Sequence, residues 1–321
     1  MGRTLEFALG ALNGVVGDYL ARTGNGLSTE MSFVHEGAPL VLERRALEQA
    51  YPNATGRICV LVHGLMCTED IFRFPEEGGD YGSFLERDLG YTPFRVRYNS
   101  GLPIADNGIA FSGLMDALLA AYPLGQDAIQ EILLIGYSMG GLVLRGAFHE
   151  ASANSRPWVT LVKRSIYVGT PHRGAPLERA GRVLTRLLGS IPDPYTRLVT
   201  DIANLRSDGI KDLGDGDVRH EDRARRIHSF SLRDPRHPVP LLPTIKHYLV
   251  AGSVSVEPLV ANLFGDAVVP VPSATDGVSL SKAQLAFHDG SLRILAGLGH
   301  VELAHHPDVY KAIMGFLEEA P

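Results

Sequence analysis

The stretch Glu131-Ile-Leu-Leu-Ile-Gly-Tyr-Ser-Met-Gly-Gly141 decides the fold class of this chain. Its first half is almost entirely apolar, which is typical of a strand buried on both faces of a sheet. Its second half contains the pattern Gly-x-Ser-x-Gly, and a helical pattern covers 139–150. The pattern alone is weak, because an ordinary glycine-rich turn also produces it. A serine on a tight turn between a buried strand and a helix, however, is the setting of a catalytic nucleophile, and we take Ser138 as the candidate.

Strands and helices alternate along the chain on both sides of this motif. Strands are predicted at 57–62, 94–98, 131–136, 164–169, 247–252 and 292–296, and helices at 4–22, 111–122, 139–150 and from Pro307 onward. This alternation predicts an α/β protein whose mostly parallel central sheet is covered by helices on both faces.

One long segment interrupts the alternation. About 70 residues separate the strand that ends at Gly169 from the one that starts at His247, whereas such connections usually take about 2–6 residues. We predict a cap or lid insertion at about 174–245 within a single domain, 1–321. Leu184 and Leu188 lie in its helical part and are candidate contacts for an acyl chain, although a cap that merely completes the core is an equal alternative. Three acidic residues of the insertion are expected at the solvated surface: Asp212, Asp215 and Asp217.

Composition limits the partners and the compartment. The chain is 45% hydrophobic and carries a net charge of −6, which gives no reason to expect nucleic acid or an anionic membrane surface as a partner. No run approaches the roughly 18 consecutive apolar residues of a membrane-spanning helix. The only cysteines, Cys59 and Cys67, do not make a disulfide framework, so we expect a soluble protein in a reducing compartment, the cytoplasm. Oligomeric state is not predicted.

A nucleophilic serine needs backbone N–H groups that bind the negative oxygen formed during acyl transfer. Met139 is one candidate donor, because it follows the nucleophile and lies at the amino end of a helix. The second is predicted in the loop after the strand 57–62. There Gly64 permits a turn, and the N–H of Leu65 is the candidate. We interpret His63 as a residue that braces this loop rather than as a proton carrier.

The order serine, acid, histidine along the chain narrows the choice of base. Four histidines come late in the chain: His288, His300, His305 and His306. Catalytic loops lie at the carboxyl ends of parallel strands, and His288 precedes the last strand. His300 follows that strand in the glycine-rich loop Gly297-Leu-Gly-His300, so it is the preferred base, with His305 in reserve.

Asp266 is the preferred acid. It lies in the apolar stretch Phe264-Gly-Asp-Ala-Val-Val-Pro-Val271, after the strand 247–252, and an ionised carboxylate in such surroundings needs a partner. A histidine N–H would be that partner. A turn-capping aspartate is the structural alternative, and Glu302 is the alternative acid.

Taken together, these segments resemble the lipase/esterase branch of the α/β-hydrolase superfamily. The similarity rests on five segments: His63-Gly-Leu65, Gly136-Tyr-Ser-Met-Gly-Gly141, Gly169-Thr-Pro-His-Arg-Gly-Ala-Pro176, Gly265-Asp-Ala-Val-Val-Pro-Val271 and Gly299-His300. The set is particularly similar to bacterial triacylglycerol-lipase-like and GPI inositol-deacylase-like serine esterases, over roughly residues 31–320. The resemblance implies a triad of Ser138, Asp266 and His300 with Leu65 and Met139 as oxyanion donors, and it leaves His172 structural.

These residues predict a serine carboxylic-ester hydrolase that acts on a small-molecule or lipid ester. An acyltransferase that uses the same triad is the main alternative, and an amidase or peptidase is a third. A non-enzymatic binding protein of the same fold usually lacks a triad member, whereas all three are present here. Some lipases of this branch bind Ca²⁺, but the sequence has no clear ligand cluster, so we expect no metal or other cofactor.

Overall fold

The computed structural model describes residues 3–122, 128–174, 207–222, 239, 241–254, 266–275 and 291–318. The strands are β1 Ser32–His35, β2 Ala38–Pro39, β3 Arg57–Val62, β4 Thr92–Arg97, β5 Glu131–Tyr137, β6 Val162–Val168, β7 Lys246–Ser253 and β8 Leu292–Ala296. The α-helices are α1 Arg3–Arg22, α2 Arg44–Ala50, α3 Tyr81–Leu89, α4 Ile104–Ala121, α5 Met139–Ala153, α6 Asp208–Asp215, α7 Val271–Ala274 and α8 Pro307–Glu318. Short 3-10 helices cover Glu69–Phe72, Pro157–Leu161 and Glu302–Ala304.

The described strands form one sheet in the order β2-β1-β4-β3-β5-β6-β7-β8. All neighbours from β4 to β8 pair in parallel, as the alternation of strands and helices predicts. β1 pairs antiparallel with both β2 and β4, so one edge of the sheet is antiparallel. The sequence pattern does not predict the orientation of the strands at this edge.

The two faces of the sheet carry two separate hydrophobic cores. Along β3, Ile58, Val60 and Val62 contact one core, while Cys59 and Leu61 contact the other. This alternation follows from the period of two residues in a strand, and it explains why the central strands are apolar throughout. Helices α4 and α5 cover the first face, and α3 and α8 cover the second. The predicted parallel sheet between two helical layers is therefore confirmed.

Helix α4 is, among the described residues, the one helix long and apolar enough to cross a membrane by length and composition. Half of it is buried inside the protein. Phe111, Met115 and Leu118 are fully buried, and the ring of Phe111 meets the ring of Trp158 edge-on. These contacts are those of a core helix in a globular protein.

The expectation that the acidic residues near position 212 are all at the surface is wrong. Asp215 is exposed, but Asp212 and Asp217 are buried. The Asp212 carboxylate accepts a hydrogen bond of 3.0 Å from the N–H of Ile104, at the amino end of α4. A carboxylate there satisfies a backbone donor that the helix leaves open and interacts favourably with the helix dipole. This capping contact joins residues far apart in the sequence.

Candidate active site

Ser138 lies on a strained turn between β5 and α5. Its backbone has φ 52° and ψ −125°, a conformation that residues with a side chain rarely adopt. Such strain persists only where the surroundings fix it. Here the N–H of Ser138 donates to the carbonyl of Val168 over 2.8 Å. A Cβ on Gly140 would lie only 2.5 Å from the carbonyl oxygen of His63, so glycine is required for α5 to approach β3 this closely.

Three predicted site residues are hydrogen-bonded in series. The Nε2 of His300 lies 2.9 Å from the Oγ of Ser138, and its Nδ1 lies 2.7 Å from Oδ2 of Asp266. All three side chains are buried. The residues come from the loops after β5, β7 and β8, at the carboxyl ends of these strands. The sheet therefore brings together side chains that are 162 and 34 residues apart in the chain.

Asp266 is held in place by its own turn. Its Oδ1 accepts hydrogen bonds from the N–H groups of Val268 and Val269, at 3.0 and 2.8 Å. Its other oxygen, Oδ2, is thereby directed at the ring of His300. In addition, the backbone N–H of His300 donates to the backbone carbonyl of Asp266 over 3.0 Å. The carboxylate of Asp266 therefore does both things that the sequence left open. Its Oδ1 caps the turn, and its Oδ2 contacts His300.

Glu302, the alternative acid, has a different contact. Its carboxylate accepts a 2.7 Å hydrogen bond from the N–H of Gly299, the residue before His300. It therefore closes the loop that carries His300, while the Nδ1 of His300 contacts Asp266 instead. His305, the reserve base, contacts the carbonyl of Ile71 at 2.9 Å.

The candidate oxyanion donors flank Ser138. Met139 is the first residue of α5, so its N–H is one of those that no helix carbonyl satisfies. Gly64 lies against Ser138, because a Cβ on Gly64 would be 2.9 Å from the Cβ of Ser138. Leu65 follows in the same loop and is partly buried. Met139 thus follows Ser138 directly, and Leu65 is next to Gly64, which lies against Ser138.

His63 and His172 are buried histidines with environments that disfavour a proton. Burial lowers the pKa of His63 to about 4, and its ring stacks on Tyr98 with 4.3 Å between ring centroids. The pKa of His172 is lowered well below its ordinary value, first by burial and then by the nearby Arg145 guanidinium. Its Nδ1 lies 3.0 Å from Nη1 of Arg145. The lowered pKa values keep both rings neutral at pH 7. The Nδ1 of His63 contacts the carbonyl of Gly64, and that of His172 contacts Arg145.

Two contacts next to these residues are not predicted by the sequence. The hydroxyl of Tyr137 donates to the carbonyl of His300 over 3.0 Å, and Ser100 Oγ accepts a 2.9 Å hydrogen bond from the N–H of Met66. Neither contact has a sequence signal, because each joins a side chain to a distant backbone atom. The predicted substrate contacts Leu184 and Leu188 lie outside the described residues.

Comparisons with known proteins identify the fold. No family model matches the sequence, and the search of curated proteins gives no match. Among solved structures, the mature form of the lipase BlEst2 from Bacillus licheniformis matches with a TM-score of 0.52. The match has 19% sequence identity and covers 82% of this chain and 92% of the lipase. The chain has the α/β-hydrolase fold.

A second match supports the same fold. The propeptide form of the same lipase aligns with a TM-score of 0.50 and 17% identity, over 84% of this chain and 51% of that one. In an α/β-hydrolase the nucleophile lies on the strand–helix turn at the carboxyl edge of the sheet, which is the position of Ser138. Among the described residues, no group of three or more His, Cys, Asp or Glu side chains is arranged to hold a metal ion.

Proposed function

We propose that this protein is a serine carboxylic-ester hydrolase with Ser138, His300 and Asp266 as its catalytic triad. The observation that carries the proposal is the unbroken series of hydrogen bonds from Ser138 Oγ through His300 to Asp266, with lengths of 2.9 and 2.7 Å. The strained backbone of Ser138 and the lipase activity named for a protein of the same fold support it. The substrate would be a small-molecule or lipid ester.

The geometry suits acyl transfer in two steps. His300 Nε2 takes the proton of Ser138 as the serine oxygen bonds to the ester carbonyl carbon. The tetrahedral intermediate collapses when the same nitrogen returns the proton to the leaving alcohol, which leaves an acyl group on Ser138. Water then attacks the acyl-enzyme with His300 again as the base, and the carboxylic acid departs. The Asp266 carboxylate accepts a hydrogen bond from the Nδ1–H of His300 throughout, and the proton stays on Nδ1, which keeps the ring in the tautomer that the first step requires.

The N–H groups of Leu65 and Met139 would bind the negative oxygen of each tetrahedral intermediate. Removal of one such donor typically costs about 10²–10³ in kcat, because the contact strengthens as charge develops. The amino end of α5 adds a favourable dipole at the same point. No metal or organic cofactor has a step in this scheme.

Two further expectations accompany this proposal. The segment 174–245 is proposed as a cap within one domain, and it follows β6, whose carboxyl end lies beside Ser138. A cytoplasmic location is consistent with two cysteines, Cys59 and Cys67, that are both buried and not in a disulfide.

The experiment that tests the function combines hydrolysis with labelling. The wild type should hydrolyse p-nitrophenyl esters from acetate to octanoate, and Ser138→Ala should lose turnover by on the order of 10⁶ while its thermal unfolding is unchanged. A fluorophosphonate should label the wild type at Ser138 alone, as mapped by mass spectrometry of peptides. Labelling at another serine, or full turnover in Ser138→Ala, would overturn the assignment.

The acyltransferase alternative shares the acyl-enzyme and differs only in the acceptor. Hydrolysis should therefore be measured with and without an added alcohol, with quantification of both acid and new ester. A product mixture dominated by the new ester at low alcohol concentration would favour the acyltransferase.

A further inference from the structure

The turn that carries Leu65 includes a residue in a costly backbone conformation. Met66 has a φ of 60°, in the left-handed region, although it has a side chain. This conformation costs roughly 1–2 kcal/mol for a residue other than glycine and persists only where surrounding contacts impose it. Met66 is buried, so those contacts come from other parts of the protein. The residues that make these contacts hold the loop with Leu65 and Met66, the proposed oxyanion loop, in its conformation.

Ser100 supplies the first contact. Its Oγ accepts a hydrogen bond of 2.9 Å from the N–H of Met66, and Ser100 is itself 1% exposed. The hydrogen bond fixes the peptide plane that joins Leu65 to Met66. The N–H of Leu65, the proposed donor, lies in the preceding peptide plane, which meets this one at the Cα of Leu65. Ser100 therefore restrains the plane next to that of the donor.

Helix α1 supplies the second contact. Met66 belongs to one hydrophobic cluster with five buried residues of α1: Ala8, Ala11, Val15, Val16 and Leu20. Gly14 places the helix backbone directly against the loop, because a Cβ on Gly14 would lie 2.8 Å from the Cα of Met66 and 2.9 Å from its nitrogen.

Polar contacts fasten α1 in this position. Asn99, the neighbour of Ser100, donates from Nδ2 to the carbonyl of Gly17 over 2.9 Å. Arg97 on β4 binds Glu6 of α1 at 2.9 Å and also Glu69, which lies just beyond the loop in the 3-10 helix Glu69–Phe72. The helix, the loop after β4 and the loop after β3 thus form one hydrogen-bonded unit.

We infer that Ser100 and helix α1 are positioning elements for the oxyanion site, which they support by holding the loop at Met66 in the conformation that sets the direction of the Leu65 N–H. The inference rests on the proposed function. Because the oxyanion contact strengthens in the transition state, loosening the loop should lower kcat and leave KM nearly unchanged.

The decisive experiment compares an ester with its thionoester in Ser100→Ala. The sulfur of a C=S group is a weaker hydrogen-bond acceptor than the oxygen of C=O, so oxyanion donors contribute less to cleavage of the thionoester. With p-nitrophenyl acetate we expect kcat to fall about tenfold, and with p-nitrophenyl thionoacetate less than about threefold. Equal losses on both substrates, after fluorophosphonate titration of active molecules, would overturn the inference.

A second variant keeps the test decisive if Ser100→Ala does not fold. Gly14→Ala places a methyl group against the Met66 backbone. Like Ser100→Ala, it should lower kcat more on the ester than on the thionoester. Its matched control is Gly113→Ala, an exposed helical glycine where a Cβ meets nothing within 4 Å, and this variant should keep wild-type kcat on both substrates. Unchanged kcat in Gly14→Ala would overturn the role of α1.

These results separate the inference from the proposed function. If the wild type hydrolyses the ester and Ser138→Ala does not, the function holds whatever the positioning variants do. If the wild type hydrolyses neither substrate, the proposed function fails and the oxyanion assignment falls with it.

Discussion

The hydroxyl of Tyr137 donates a hydrogen bond to the main-chain carbonyl of His300 over 3.0 Å, and their rings lie 5.2 Å apart. Tyr137 is the residue directly before Ser138, so the turn that holds the serine is bonded to the loop that holds the histidine. Both partners are buried, and a hydrogen bond in such surroundings is costly to leave unmade. The Ser138–His300 distance is thus fixed from the backbone as well as through the side chains.

Tyr137→Phe should lower kcat about five- to tenfold with little change in KM. The variant lacks the hydrogen bond that holds the His300 loop, so the imidazole is less well positioned for proton transfer. Stability should fall by about 1 kcal/mol. Tyr122→Phe is the matched control, since its hydroxyl donates over 2.8 Å to the carbonyl of Thr55, before β3 and far from the site. Steady-state kinetics and urea denaturation check both variants. Equal kcat losses in the two would contradict a specific role for Tyr137.

Asp266→Asn should reduce kcat by about 10⁴, because an amide no longer holds the tautomer of His300 that accepts the serine proton. Glu302→Gln should cost less than about tenfold, since the amide oxygen still accepts from the N–H of Gly299. Kinetics of the two isosteric variants on one p-nitrophenyl ester decide between the acids. A larger loss of kcat in Glu302→Gln than in Asp266→Asn would show that Glu302 is the acid of the triad.

His300→Ala should abolish turnover, whereas His172→Ala should keep measurable activity. His172 is buried beside Arg145 and its ring contacts the guanidinium, so its loss removes packing but no proton carrier. Thermal unfolding of both proteins, measured alongside kcat, separates damage to the fold from damage to the chemistry. Activity in His300→Ala with none in a folded His172→Ala would show that the two histidines are interchanged.

The sequence predicts those features that depend on local pattern and chain order. β3 and β5 are buried on both faces, and their apolar runs are visible without a structure. The Gly-x-Ser-x-Gly motif indicates Ser138, and apolar surroundings indicate Asp266. The choice of His300 uses chain order and the rule that catalytic loops lie at the carboxyl ends of parallel strands. Their hydrogen bonds agree with that rule.

Features that depend on tertiary contacts were not predictable. The antiparallel orientation of β1 arises from pairs such as Phe33 with Val96, far apart in the sequence. Asp212 was misjudged as a surface residue, because its partner, the N–H of Ile104, lies 108 positions away. The role of Met66 was not visible either, since a left-handed backbone at methionine has no sequence signature.

The insertion supplies a prediction about substrate choice that rests on sequence alone. If Leu184 and Leu188 bind the acyl chain, Leu188→Glu should raise KM for the octanoate ester several-fold and leave the acetate ester nearly unchanged, because only the longer chain reaches the segment. KM values across a series of p-nitrophenyl esters provide the measurement. Equal losses on acetate and octanoate at unchanged thermal stability would show that the segment does not select the chain.

Buried neutral histidines should make the protein less stable as the solution becomes acidic. Burial lowers the pKa of His63 and of His247 to about 4, from about 6.5 in the unfolded chain. Between these values the unfolded state binds more protons than the folded state, so the free energy of unfolding falls as the pH drops from about 6.5 to 4.

Each of these histidines should add up to about 1.4 kcal/mol per pH unit to the pH dependence of the free energy of unfolding in that window. The contribution falls towards zero as the pH rises past the unfolded pKa of about 6.5. His247→Gln removes one titrating group, while its amide can still contact Tyr167 and the carbonyl of Leu242, the two partners of the imidazole. Urea denaturation at pH 7.5, 6.0 and 5.0 should therefore give the variant a shallower dependence on pH than the wild type. Parallel curves for the two proteins would mean that His247 gains its proton without unfolding, and that its burial does not exclude the charge.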